Sequence, residues 1–348
     1  MGIAGLERGL TKLGHRVDLR PLGRRSGVHT LDRWLYNAGV RHDPPRDADL
    51  VVGVDLDGFL WARRRRTPFV ASLKGIIADE LRNERGWVRR LLALQARWER
   101  LNTERADLVA VTSRYCAEVA GREYGVPDDR LAVVPEPIDL DVWDGEFRRA
   151  PRASRTHPIV LAVARMYPRK RIEDLVRAAA VLRTTLPGIE VRVVGRGPEY
   201  PAVERVRAEL GLGETVALLG DVSRERLAAE YVNADVFCLP SVQEGFGIVF
   251  LEAMAAGLPV VACRAAAVPE VVHDDATGVL VPPRDPAALA SAIEHLLRHP
   301  ARARAFGEEG RRRVTALTPT RVARRFLDAV ESIPGVVGHH TGGGERRE

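Results

Sequence analysis

Ser241-Val242-Gln243-Glu244-Gly245-Phe246-Gly247-Ile248-Val249-Phe250-Leu251-Glu252-Ala253-Met254-Ala255-Ala256-Gly257-Leu258-Pro259 decides how this chain is read. An apolar strand over 236–239 precedes it. Gly245 and Gly247 then let backbone N–H groups come close to a ligand. A helix begins near Ile248, and a helix N-terminus favours an anion such as phosphate. Glu244 stands just before that helix and Glu252 about one turn inside it. Two carboxylates flanking a phosphate-friendly helix start suit hydroxyl recognition on two sugars, one on each side of a diphosphate. A lone Glu in such a place is more often a cap or a solvated helix residue. The loop-to-helix context and the second carboxylate favour the ligand reading.

Outward from this stretch, short apolar runs alternate with helical patterns, the mark of βαβ units and parallel sheets. In the second half the expected strands are 158–164, 189–194, 215–219, 236–239, 259–262 and 278–281. Helices are expected over 172–184, 199–210, 225–232, 248–256 and 286–297. Six strands with crossovers make a complete doubly wound domain. The first half is less regular, with strands expected at 16–19, 50–54, 69–73, 108–111 and 132–134 and a long helix over 87–105. The expected linker is 145–157, charged and without periodicity. Residues 1–145 are read as an acceptor-side domain and 155–316 as a nucleotide-sugar domain, with 317–332 a helix crossing back and 333–348 a disordered tail. A helix over 3–13 running into the 16–19 strand implies that a first strand and its phosphate-approaching loop lie upstream of Met1.

At 348 residues the chain suits two domains at about 150 residues each. An apolar fraction of 45% fills two cores and excludes a disordered or collagen-like chain. No run approaches the roughly 18 apolar residues of a membrane span. Cys116, Cys238 and Cys263 are too scattered for a disulfide framework or a zinc cluster, which suits a reducing, cytoplasmic compartment. The net charge of +6 comes almost entirely from arginine; the lysines are Lys12, Lys74 and Lys170. A lysine retained where arginine is the default suggests a need for a compact ammonium.

The Glu244–Glu252 stretch resembles the E-x7-E element of the family 4 retaining glycosyltransferases, enzymes of the GT-B architecture. Arg165-Met166-Tyr167-Pro168-Arg169-Lys170 is similar to their R-x4-K element, and Val194-Gly195-Arg196-Gly197 to their next glycine turn. Thr112-Ser113 and Val134-Pro135 with Ile138-Asp139 resemble the domain-closing segments. The resemblance implies two Rossmann-like domains facing across a cleft and a nucleotide diphosphate sugar as donor. It assigns Arg165, Lys170 and Glu244 to catalysis and Gly195, Gly245, Phe246, Gly247 and Glu252 to the donor. Arg165 and Lys170 would hold the diphosphate, Glu252 the ribose hydroxyls and Glu244 the donor sugar. It implies retention of configuration, with no protein nucleophile, no metal and no cofactor. Lys74-Gly75 stands where the family has His-Gly or His-Asp, and Glu136-Pro137 where it has Asn-Gly; Lys74 and Gly75 are the acceptor-side candidates. The acceptor is a glycan, a lipid-linked molecule or a small molecule. The alternatives are a GT-B nucleotide-sugar epimerase and a non-catalytic binder or inactive fragment.

Asp55-Leu56-Asp57 spells D-x-D, but follows a strand of a doubly wound domain, where a structural role is expected. Arg63 to Arg66 with Arg82, Arg85, Arg89, Arg90, Arg97 and Arg100 make a basic region. On the 87–105 helix Val88, Leu91, Leu92, Trp98 and Leu101 fall roughly on one face. That face either packs on the core with a solvated arginine side, or lies on anionic lipid at the inner membrane face. Few aromatics (5%) and no reader motif argue against nucleic acid. The oligomeric state is not specified by the sequence.

Overall fold

The structure is a computed structural model that describes residues 2–334 and 336, apart from 24, 25, 27, 28, 46, 155 and 156. The first half runs α1 (Gly2–Lys12), α2 (His29–His42), β1 (Val51–Val54), β2 (Phe69–Leu73), α3 (Ile77–Glu80), α4 (Gly86–Arg105), β3 (Leu108–Val111), α5 (Arg114–Tyr124), β4 (Leu131–Val133) and α6 (Leu140–Arg149). The second half runs β5 (Ile159–Val163), α7 (Ile172–Thr185), β6 (Glu190–Val194), α8 (Tyr200–Glu209), β7 (Val216–Gly220), α9 (Arg224–Asn233), β8 (Val236–Leu239), α10 (Ile248–Ala255), β9 (Val260–Cys263), α11 (Val268–Val271), β10 (Gly278–Val281), α12 (Pro286–Arg298), α13 (Pro300–Val314) and α14 (Pro319–Val330).

The six second-half strands form one parallel sheet in the order β10-β9-β8-β5-β6-β7. The chain builds outward from β5 to β7, then crosses back to β8, which pairs with β5 at Val160↔Val236 and Leu161↔Phe237. This reversal is a topological switch point, where the crevice at the carboxyl ends of the strands takes a ligand. Strands β5, β8 and β9 are buried almost throughout, as in a parallel sheet covered on both faces by helices.

The first half has a four-stranded parallel sheet, β1-β2-β3-β4. One face packs on Val119, Ala120 and Tyr124 of α5. On the other, Val70, Leu108 and Ala110 pack with Val322, Phe326 and Val330 of α14 and with Leu6 and Leu10 of α1. The last helix therefore belongs to the core of the first sheet.

Three expectations need correction. Residues 16–19 form no strand: the described residues offer them no ladder partner, and the Tyr36 hydroxyl donates to the Arg20 carbonyl instead. The expected linker 145–157 begins inside α6. That helix is capped by Asp139 on the Val142 N–H and held by Trp143, which is fully buried against Phe147 and Tyr231. Finally, α4 buries the Val88–Leu101 face only in part: Val88 is exposed, and Leu91, Leu92, Trp98 and Leu101 are half-buried, with Trp98 stacked on Phe59. Its fully buried residues are Gln95, Ala96, Glu99, Asn102 and Thr103, because the groove beneath them is lined with polar partners. Most of the expected tail 333–348 lies outside the described residues, although Ile333 is buried beside α14.

Candidate active site between two sheets

Two loops leave the switch point side by side. After β5 the chain passes Arg165 and makes a short 3-10 turn over Pro168–Lys170. Arg171 then takes a left-handed conformation (φ 53°), held there by a two-point contact of its guanidinium with Asp174 at 2.9 and 2.6 Å. Such a backbone is costly for a residue with a Cβ and persists only where its surroundings enforce it. The Val242 N–H of the second loop donates to the Arg169 carbonyl at 2.9 Å, so the two loops are tied together.

This brings Lys170 and Glu244, distant in sequence, to 2.6 Å between Nζ and Oε1, both largely shielded from solvent. Arg165 is exposed, stacks over the Tyr167 ring at 5.5 Å and makes no ion pair among the described residues. Gly247 caps α10 with φ 95°, and a Cβ there would come within 2.5 Å of the Phe250 ring. Glu252 lies inside α10, 4% exposed, and its Oε2 accepts from the Tyr231 hydroxyl at 2.9 Å. Burial pushes the Glu252 carboxyl up to about 7, against the opposing pull of that hydrogen bond. Gly195 ends β6 at φ 113°, and a Cβ there would lie 2.1 Å from the Ala164 carbonyl, so the backbone itself demands glycine at this crossing. The Phe246 side chain is buried in the core, leaving its backbone to face the loop.

The first sheet closes over this site. The Thr112 and Ser113 hydroxyls donate to the Gly245 carbonyl at 2.9 and 2.8 Å. Gly245 also abuts Lys74 and Gly75: a Cβ on it would lie 2.6 Å from the Lys74 carbonyl and 2.9 Å from the Gly75 Cα. Glu270 accepts the Arg114 and Tyr115 N–H groups at 2.9 and 2.8 Å, satisfying the open N-terminus of α5 across the cleft. Arg169 reaches Glu80 at 3.3 Å. Thus Lys170 and Glu244, with Lys74 and Gly75 of the first sheet, meet at the Gly245 loop, whereas Arg165 lies on Tyr167, Glu252 bonds Tyr231 inside α10 and Gly195 serves the neighbouring strand crossing.

Lys74 departs from a free cation. Its Nζ pairs with Glu136 at 2.8 Å, so the two positions that differ most from the family pattern face each other as opposite charges. Asp55 and Asp57 are structural. Arg33 lies 3.1 Å from Asp57 and 3.9 Å from Asp55, and Asp55 accepts the Lys74 N–H at 2.9 Å. Burial raises both carboxyls, Asp57 to about 6. Among the described residues no three His, Cys, Asp or Glu side chains are placed to hold a metal ion. Sequence reading missed Arg33, Glu99 and the capping role of Glu270. For Glu99 a signal existed in the spacing Gln95, Glu99, Asn102, a polar stripe along one helix face.

Residues 144–313 match the profile of the glycosyl transferases group 1, and residues 15–142 that of glycosyltransferase family 4. The chain belongs to this glycosyltransferase family, and its two facing parallel sheets are the GT-B architecture. A GDP-mannose-dependent alpha-(1-6)-phosphatidylinositol monomannoside mannosyltransferase of Mycolicibacterium smegmatis is 34% identical, covering 69% of this chain and 65% of its own. A D-inositol 3-phosphate glycosyltransferase of Mycobacteroides abscessus is 35% identical over 59% of this chain and 47% of its own. The chain thus spans roughly half to two thirds of the length of these curated relatives. Among solved structures, a sucrose-phosphate synthase from Thermosynechococcus elongatus superposes with a TM-score of 0.73 at 26% identity, covering 91% of this chain and 82% of its own. No described helix is long and apolar enough to cross a membrane.

Proposed function

We propose that this chain moves a sugar from a nucleotide diphosphate sugar to an acceptor hydroxyl, with retention of configuration and without a metal. The observation that carries the reading is the meeting of Lys170 and Glu244 at 2.6 Å beside the start of α10, with the adjoining Gly245 carbonyl gripped by the other sheet. In the reaction the acceptor oxygen bonds to the anomeric carbon, the bond from that carbon to the phosphate oxygen breaks, and the acceptor proton passes to the departing phosphate. Negative charge grows on that phosphate. Arg165 and Lys170 supply fixed positive charge where it grows, which accelerates the step more than it tightens ground-state binding. Glu244 contacts the donor sugar's hydroxyls, and Glu252 accepts from the ribose. The GDP-mannose-dependent mannosyltransferase relative supports a hexose donor, with GDP-mannose the first to test.

The test is calorimetry and thermal shift with GDP, UDP, ADP and their sugars in chelator, followed by turnover with a panel of hydroxyl acceptors. Binding of one nucleotide and transfer from its sugar is expected, with both binding and transfer surviving chelation. A folded chain that binds no nucleotide overturns the reading. Nucleotide binding with neither transfer nor hydrolysis turns it into the non-catalytic binder.

A further inference from the structure

Helix α4 turns a largely polar side to the protein, with Trp98 stacked on Phe59 beside it, and Gln95, Glu99 and Asn102 are each hydrogen-bonded there. Gln95 Nε2 donates to Thr30 Oγ1 of α2 at 2.7 Å, Glu99 accepts the Ile77 N–H at 2.8 Å, and Asn102 donates to the Asp55 carbonyl at 2.7 Å. Its outward stripe, at spacings of three and four residues, reads Trp87, Arg90, Leu94, Arg97. Trp87 is 67% exposed, Val88 48% and Leu94 42%. The Gln95–Thr30 bond sets the first turn of α2 beside α4, and there Leu31 and Trp34 are exposed as well. Five of the ten large hydrophobic side chains exposed among the described residues lie on these two helices. Arg85, Arg89, Arg90 and Arg97 have no carboxylate partner among the described residues, whereas Arg100, further along, pairs with Glu104 at 2.9 Å.

We infer that the α2–α4 face docks on an anionic phospholipid surface. Tryptophan and leucine interleaved with unneutralised arginines are the pattern of a surface half-sunk in headgroups, where indoles sit at the interface and arginine stems reach back to phosphate. The apolar side chains stand on the outer face of a helix rather than in a groove, which suits a fluid surface better than a fitted protein partner. The face begins at the lip of the cleft. Glu80, whose Oε1 lies 3.3 Å from Arg169 across the gap, is only a few residues before Arg85. Docked this way, the cleft opens beside the bilayer, and the acceptor of the transfer reading belongs to the lipid-linked class; that last step rests on the proposed function, whereas the docking does not.

The test is flotation of the purified chain with vesicles of phosphatidylcholine alone and with vesicles containing about one third phosphatidylglycerol. No donor is present, so the result is independent of turnover. Binding is expected to the anionic vesicles only and to weaken with salt. The Arg90→Glu/Arg97→Glu variant should lower partitioning at least about tenfold, at roughly one headgroup interaction per arginine. Trp87→Ser/Leu94→Ser should abolish the binding that remains at high salt and remove the blue shift of tryptophan emission on vesicle addition. Both variants change exposed residues, and an unaltered melting temperature shows that they fold. Equal partitioning of both variants with the parent, or no vesicle binding by the parent, overturns the inference. So does a change in sedimentation mass without a change in vesicle binding, which would make the face a contact between copies.

Discussion

The second sheet lies in one continuous apolar core, whereas the first is packed between two smaller clusters and a lattice of buried polar side chains. In the second half β5, β8 and β9 bury nearly every side chain, and the site stands at their carboxyl ends on loops tied by the Val242–Arg169 bond. In the first half Asn37, Asp55, Asp57, Glu99 and Asn102 hold the chain by side-chain bonds, many to backbone groups. Apolar packing sets register without directional contacts and tolerates conservative change. Buried polar networks are specific and lose much when one member is removed. The second half is thus held by packing and the first by partners, and the cleft joins the two through a few cross-sheet bonds.

The largest expected effect falls on the second half. Lys170→Ala should lower kcat about 10²–10³-fold while changing donor affinity much less, because the charge it meets peaks in the transition state. Steady-state kinetics beside donor calorimetry checks this, and an affinity loss with kcat intact would break the assignment.

Next comes Glu252. Its carboxyl is pushed from the ordinary carboxylate range to about 7, so its folded form holds a proton that the unfolded form has released. The stability this contributes is full below about 4.5 and is lost as pH rises through 7. Glu252→Gln should therefore flatten the decline, giving up to about 3 kcal/mol over the parent at pH above neutrality, while weakening donor binding. Urea unfolding at several pH values reads the first effect and calorimetry the second. A parent without the decline would refute the assignment.

On the polar side, burial also raises Glu99 far above its ordinary range, and its Oε1 has no partner among the described residues. Glu99→Ala should cost about 2 kcal/mol by leaving the Ile77 N–H and the Tyr124 hydroxyl without an acceptor. Glu99→Gln keeps an acceptor, so it should cost less and should reduce the loss of stability as pH rises. Equal costs for the two would show that the groove is held by volume rather than by hydrogen bonds. The smallest effect belongs to the cross-sheet grip. Thr112→Val with Ser113→Ala should raise the donor KM about tenfold, at about 1 kcal/mol per bond, with each core unchanged by hydrogen exchange.

Much of the second half was legible in the sequence. All six second-half strands, the helix starting at Ile248 and the two site loops stand within a residue or two of the positions read from apolar runs. Such runs carry information because those strands are buried on both faces. The first half was legible where the same holds, at Phe69–Leu73 and Leu108–Val111. It failed at 16–19, where alternation alone finds no ladder partner, and in part on α4, where the predicted apolar face is only half-buried and the fully buried positions are mostly polar. Amphipathic counting assumes that the protein side of a helix is the oily one, and a groove lined by Thr30, Ile77 N–H and the Asp55 carbonyl buries polar side chains instead.

By itself the sequence determined the doubly wound pattern and the spacing of Arg165, Lys170, Glu244 and Glu252, since strand burial and helix starts are local matters of residue type and period. Tertiary structure alone decided that Lys170 meets Glu244, that Lys74 meets Glu136, that the Tyr231 hydroxyl donates a hydrogen bond to Glu252, and that Thr112 and Ser113 grip Gly245. Each joins residues far apart in the chain. Their meeting depends on which strands become neighbours and how the two sheets close, and no local period encodes that.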